Sequence, residues 1–191
     1  DVIDFDYLEN PGRDGLAEAL VSLYALGAID ARGGLTPRGR SMSSLPVDPC
    51  LGRMLLEAAK EGCLEESLAI ASLISSETIW HQPRGEEEEA EQKHRLFYHP
   101  AGDHMTLLTV WRAWEHSGFK ESWLRENFLR VRAFRVAKLA HQQLRIEMTT
   151  RLGLAASSCA GKYEPICRAF VAGYFCNSAR RCGEGGFHLH P

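Results

Sequence analysis

Residues 122–151 read SWLRENFLRVRAFRVAKLAHQQLRIEMTTR, a stretch with neither proline nor glycine. Those two residues are the usual helix breakers, so the stretch predicts the longest helix of the chain, from residue 122 to about residue 151. Phe128, Val131, Phe134 and Leu144 fall near one face, the side to be buried. The other faces carry Arg125, Arg130, Arg132, Arg135, Lys138, Gln142 and Arg145. Charge is sorted along the chain: residues 120–151 hold eight basic and three acidic residues, whereas residues 57–91 hold ten acidic residues against Lys60 and Arg84. The net charge of −3 conceals this. Arginines neutralise phosphates, and amide side chains bond to sugar and backbone oxygens. Only Glu121 and Glu126 lie between Lys120 and Arg145 as i,i+4 partners, so local ion pairing leaves most of the arginines unmatched. Composition alone leaves nucleic-acid contact and a solvated, ion-paired face equally open.

Upstream of this helix, Asp103 follows Gly102 and reads as the N-cap of a helix whose buried face carries Trp111 and Trp114. The run Glu86-Glu87-Glu88-Glu89 reads as a solvated loop or the first turn of an exposed helix. Leu51, Met54, Leu55 and Ala58 form one apolar face that stops at Gly62, and Leu64, Leu68, Ala71 and Ile74 repeat the pattern, which suggests a bundle. Leu16, Leu20, Leu23 and Leu26 are helically spaced, with Gly27 where a left-handed C-cap belongs. Ala28-Ile29-Asp30, Gly33-Gly34 and Leu35-Thr36-Pro37 then read as strand, turn and new start, the pattern of a winged helix or of a helical hairpin with a loop. Downstream, Ala155-Ala156-Ser157-Ser158 reads as a hinge or linker. Glu164-Pro165 opens a helix with Ile166, Ala169, Phe170, Gly173 and Tyr174 on its apolar side.

At 191 residues, 45% apolar and 25% charged, the composition is that of a globular protein. No apolar run approaches the ~20 residues of a membrane-spanning helix. The start at Asp1, with no targeting segment, suggests an excised piece. Six cysteines with no C-x-x-C argue against a disulfide framework and for a reducing compartment. Cys176, Cys182, His188 and His190 lack the tight ligand pair of structural zinc sites, so no metal is expected. Phosphate-loop, H-E-x-x-H and G-x-S-x-G motifs are absent, and no catalytic residues are assigned. An independent DNA-binding winged helix is disfavoured, because residues 14–27 contain no Lys or Arg.

Several ordered strings carry a resemblance: Ala25-Leu26-Gly27-Ala28-Ile29-Asp30, Leu35-Thr36-Pro37-Arg38-Gly39-Arg40 with Leu45-Pro46-Val47-Asp48-Pro49, Gly102-Asp103-His104-Met105-Thr106-Leu107-Leu108, and Trp123, Asn127-Phe128, Arg132 and Gln142-Gln143-Leu144. With Ile166-Cys167-Arg168-Ala169, Gly173-Tyr174-Phe175 and Asn177-Ser178-Ala179-Arg180, they resemble the C-terminal region of DEAH-box RNA helicases across essentially the whole chain. The resemblance implies a mainly α architecture. A partial winged helix (1–48) would precede a ratchet-type helical bundle with one long helix (49–152), and a linker with the first helix of a truncated OB-fold (153–191) would follow. It implies an RNA-binding auxiliary region that lines the RNA channel and supports 3′-to-5′ translocation and RNA or ribonucleoprotein remodelling. RecA-like domains would supply the motor, with ATP and Mg²⁺, and no cofactor would bind this region. Single-stranded RNA and those motor domains would be its partners, with pre-mRNA splicing and a nuclear site the usual setting and a cytoplasmic one also open. By the same resemblance Asn127, Arg132 and Gln142, and more weakly Arg168 and Asn177, face RNA. Asp103 and His104 read as structural, one capping and the other packing, because a lone Asp-His pair has no nucleophile or metal site around it. A second role is docking of a glycine-patch activator on residues 5–30, including Phe5, Tyr7 and Leu8. Two departures stand out: His141 where the family often has arginine, and Trp111 where it commonly has tyrosine. Without OB-fold strands, the last helix, expected from Pro165 to Ala179, would expose Ile166 and Phe170.

Overall fold

The computed structural model describes residues 5–8, 12–181 and 187–189. They divide into two compact units, Asp1–Met54 with Val171–Pro191, and Leu55–Phe170, with the division falling inside two helices.

The first unit opens with α1 (Arg13–Ala25). Leu16, Leu20 and Leu23 are half-buried and Leu26 is buried, as the spacing predicts. Gly27 adopts φ 70°, and Ala28 N–H donates to Leu23 O while Gly27 N–H donates to Tyr24 O. This Schellman closure satisfies carbonyls that the helix end would leave open. Ile29 bridges Leu35, and Asp30 Oδ1 accepts from the backbone of Arg32 and Gly34, each at 2.8 Å, which fixes the turn. Thr36 then caps α2 (Pro37–Ser43): its hydroxyl accepts from Gly39 N–H at 3.0 Å and donates to Gly27 O at 2.7 Å. Helix, tight turn and helix make the winged-helix portion. Helix α3 (Pro49–Lys60) starts on Asp48, whose carboxylate accepts from Leu51 N–H.

The second unit is a helical bundle. Cys63 N–H donates to Ala58 O across Gly62 (φ 72°), and α4 (Leu64–Ile74) follows almost entirely buried. The glutamate run forms the first turn of α5 (Glu87–Arg95), whose last turn holds Lys93, His94 and Arg95; this charge order suits the helix dipole. Helix α6 (Asp103–His116) buries Trp111 and Trp114. Its N-cap is Gly102 at φ 109°, so Asp103 is the first helical residue and not the cap. A side chain at 102 would be strained there, and Asp103 still places its charge near the positive helix end.

Residues 122–151 do not form one rod. Helix α7 (Glu121–Glu126) stops, and α8 (Val131–Ile146) begins after Phe128 at φ 52°; a π turn (Glu147–Arg151) continues α8. The break is imposed from outside. Trp80 pairs with Leu129 as an isolated bridge, and Arg130 N–H donates to Ile79 O. Phe128 O accepts from His81 N–H at 3.0 Å and lies 2.9 Å from Nε2 of the buried His94, which packs on Trp80. These bonds replace those a continuous helix would make.

Helix α9 (Glu164–Tyr174) ends earlier than expected, followed by a 3₁₀ turn (Phe175–Asn177) and two antiparallel strands, β1 (Ala179–Arg181) and β2 (Phe187–Leu189), paired Ala179 to Leu189. Ile166 and Phe170 are buried, against expectation, because the helical bundle covers them: Phe170 packs on His104 with ring centroids 4.0 Å apart. Val171 and Phe175 are exposed instead. Cys182 and His190 lie outside the described residues, as does the side chain of His188; among the described residues no group of three or more potential metal ligands occurs.

Candidate nucleic-acid interface

On α8, Lys138, His141, Gln142 and Arg145 share one face through i,i+3 and i,i+4 spacing. They form one side of an open groove of about 430 Å³ in the helical bundle. Ala69, Leu108 and Trp111 line its base; Glu65, Glu66, Arg112, Glu115, Phe119 and Ser158 also border it. Trp111 and His141, the two departures from the family pattern, are in contact, with ring centroids 4.9 Å apart and planes 33° apart. Lys138 Nζ stands 4.2 Å above the Phe119 ring centroid, a cation–π contact.

Two residues of the basic segment, Arg145 and Arg132, pair with the acidic segment, which also takes Arg112 and Arg168 from elsewhere in the chain. Arg145 pairs with Glu65 at 2.8 Å, Arg112 with Glu66 at 3.0 Å, Arg168 with Glu61 at 2.7 Å, and Arg132 more loosely with Glu77 at 3.6 Å. Glu121 takes both Arg125 and Arg135. Exposed pairs of this kind stabilise by ~0–1 kcal/mol each, so their main effect is on the field presented to a ligand. Glu66 is the exception in burial: Arg112, the Ser158 hydroxyl and Cys159 N–H together satisfy its carboxylate. The expected linker is thereby pinned to α4.

The five residues singled out from the sequence lie in different settings. Gln142 is exposed on the groove. Arg132, on the first turn of α8, is 88% exposed. Asn127 ends α7, with its amide donating to Trp123 O at 2.8 Å, so part of its hydrogen-bonding capacity goes to bracing the break. Arg168 is held by Glu61, and Asn177 is exposed in the other unit. The groove residues Trp111, Glu115, Lys138 and His141 were not selected by sequence. The 138–141–142–145 spacing was the available signal, but the α4 and α6 sides come from distant segments.

Burial pushes the His141 imidazole down from the ordinary 6.5 to about 4, with the Arg145 charge adding to the effect. Burial also lowers His104, against the opposing charge of Asp103. His141 is therefore neutral at neutral pH, where an arginine would carry charge. A folded-state value below the unfolded one means the unfolded chain binds more protons in between, so stability is complete above about 6.5 and is lost as pH falls toward 4. Thermal melts across that interval are expected to show a declining Tm, with a shallower decline in His141→Gln.

A second groove, about 380 Å³, lies on the winged-helix portion, lined by Leu20, Val21, Tyr24, Ile29, Asp30, Ala31 and Gly33. Val21 and Tyr24 are 67% and 56% exposed. Farther along, Phe5 and Tyr7 pack edge to face, and Leu8 is exposed.

Two family comparisons match this architecture in order. Residues 19–47 match the winged-helix part of the helicase associated domain (HA2), and residues 48–107 match its ratchet-like part. Residues 19–107 therefore carry the winged-helix and ratchet-like parts of the helicase associated domain, in that order. Among individual proteins, it is 37% identical over 186 residues to the pre-mRNA-splicing factor ATP-dependent RNA helicase prp22 of Schizosaccharomyces pombe. The match covers 97% of this chain and 16% of that relative's length.

Proposed function

We propose that the chain is the RNA-gripping auxiliary region of an ATP-dependent RNA helicase, lining the RNA path and supporting 3′-to-5′ translocation and remodelling of RNA or ribonucleoproteins. The observation that carries this reading is α8, which presents the exposed Arg132 and Gln142 beside α4, a helix within the residues that match the ratchet-like part of the helicase associated domain. RecA-like domains, using ATP and Mg²⁺, supply the force; this chain contributes contacts. Residues 1–48 act as the winged helix, 49–152 as the ratchet, and 153–191 as the linker and start of an OB-fold. The similarity to a splicing helicase supports pre-mRNA splicing in the nucleus as the setting.

Gln142 and Arg132 are the principal RNA contacts, with Asn127, Arg168 and Asn177 contributing less. Binding of single-stranded RNA to the chain, followed by fluorescence anisotropy, is expected to weaken as salt rises. Arg132→Ala should flatten the log–log salt slope by about 0.7, the value for one phosphate contact on a single strand. Gln142→Ala should weaken binding without altering that slope. Salt-independent affinity would exclude the reading.

The exposed apolar groove on α1 favours a second role, as the docking site of a glycine-patch activator. Val21→Glu should abolish such docking while leaving RNA affinity unchanged.

A further inference from the structure

The lining of the α4–α6–α8 groove separates into two sets. Glu65 is matched by Arg145 and Glu66 by Arg112. In contrast, the side chains of Glu115, His141 and Gln142 have no hydrogen-bond partner among the described residues, and Lys138 has only the Trp114 and Phe119 ring faces. Three glutamates balance Arg112, Lys138 and Arg145, and His141 is neutral at neutral pH. A chain of phosphates requires cations that are not already neutralised, so this groove is poorly suited to track a backbone. It leaves open a set of hydrogen-bonding groups beside stacked rings: a carboxylate that accepts, an ammonium that donates, and an amide and neutral imidazole that do both. Trp111 is buried beneath His141, which makes the imidazole the more exposed plate of the pair.

A flat heteroaromatic group with donors and acceptors on its edge is complementary to that set, and the groove's volume falls within the ~300–1,000 Å³ of small-ligand sites. Among the bases, guanine presents adjacent N–H donors on its Watson–Crick edge for a carboxylate, and O6 and N7 acceptors for a lysine. We propose that this groove is a nucleobase pocket that takes a guanine splayed out of single-stranded RNA, stacked on His141, with Glu115 accepting from its edge and Lys138 or Gln142 donating to it. The inference rests on the RNA-binding reading above and adds a base preference that backbone contacts cannot supply.

The test compares labelled single-stranded RNA oligomers of equal length: all uridine, uridine with one central guanosine, and uridine with one central abasic site. Anisotropy titrations of the chain are expected to show the guanosine oligomer binding about tenfold tighter than the abasic one, as one stacked and hydrogen-bonded base confers. That advantage is lost in Glu115→Gln and in His141→Ala, while affinity for the abasic oligomer is retained. Glu115 is exposed and the glutamine replacement is isosteric, so the outcome does not depend on how well His141→Ala folds. Equal affinity for all three oligomers with salt-sensitive binding intact overturns the pocket and leaves the RNA-binding reading standing. Loss of salt-sensitive binding to all three overturns both. A guanosine advantage that survives Glu115→Gln also overturns the pocket.

Discussion

Replacing Trp114 with alanine is expected to destabilise the helical unit by about 3–5 kcal/mol, the range for removing a buried aromatic side chain that its surroundings cannot refill. Trp114 is 3% exposed and meets Trp111, Phe119 and Phe134 at centroid distances of 5.6, 4.9 and 5.0 Å. These neighbours come from α6, the turn after it and α8, so one ring joins three segments. Its indole N–H also donates to Lys120 O at 3.2 Å. Trp114→Phe should be milder, about 1–3 kcal/mol, because it keeps ring contacts and loses the indole hydrogen bond. Urea denaturation followed by near-ultraviolet circular dichroism separates the cases. Near-equal losses would show that the hydrogen bond, and not the ring cluster, dominates.

Gly173→Ala is expected to cost about 1–3 kcal/mol through overpacking. A Cβ on Gly173 of α9 would collide with Cys50 O and lie 2.9 Å from Met54 Cβ, both on α3. Because one obstacle is backbone, the two helices would have to separate. Gly52 provides the opposite case. Its added Cβ would meet only Leu45 and Met42 side-chain atoms at 3.8 Å, an ordinary contact, and alanine is a better helix former than glycine by ~1 kcal/mol. Gly52→Ala should therefore be neutral or stabilising. Thermal melts of the two variants should move in different directions.

The elements that were legible in the sequence are those whose causes are local. Gly27 closes α1, Thr36 with Pro37 starts α2, Gly62 ends α3, and the glutamate run opens α5, because each depends on a cap, a left-handed residue or the helix dipole within a few positions. The family strings placed the winged helix and ratchet for the same reason of ordered spacing, and the matches over 19–47 and 48–107 agree with them. The candidate site was legible only in part. Gln142 was found, but His141 was visible solely as a departure from pattern, and Glu115 lay on another helix.

What the sequence by itself determined was thus the helical class, the order of winged helix and ratchet, and the absence of a phosphate loop or other motor motif in these residues. Tertiary structure decided the rest. It broke the long helix at Phe128, because His81 and His94 claim that carbonyl and Trp80 bridges Leu129. It buried Ile166 and Phe170, since the bundle already supplies their cover. It joined the basic and acidic segments through Arg145–Glu65 and Arg132–Glu77, brought Arg112 and Arg168 onto the acidic one, and left a few uncommitted groups around one groove. Periodicity and capping act over a turn or two of chain, whereas charge pairing, desolvation and carbonyl sharing depend on which distant segments meet, and no local pattern encodes that meeting.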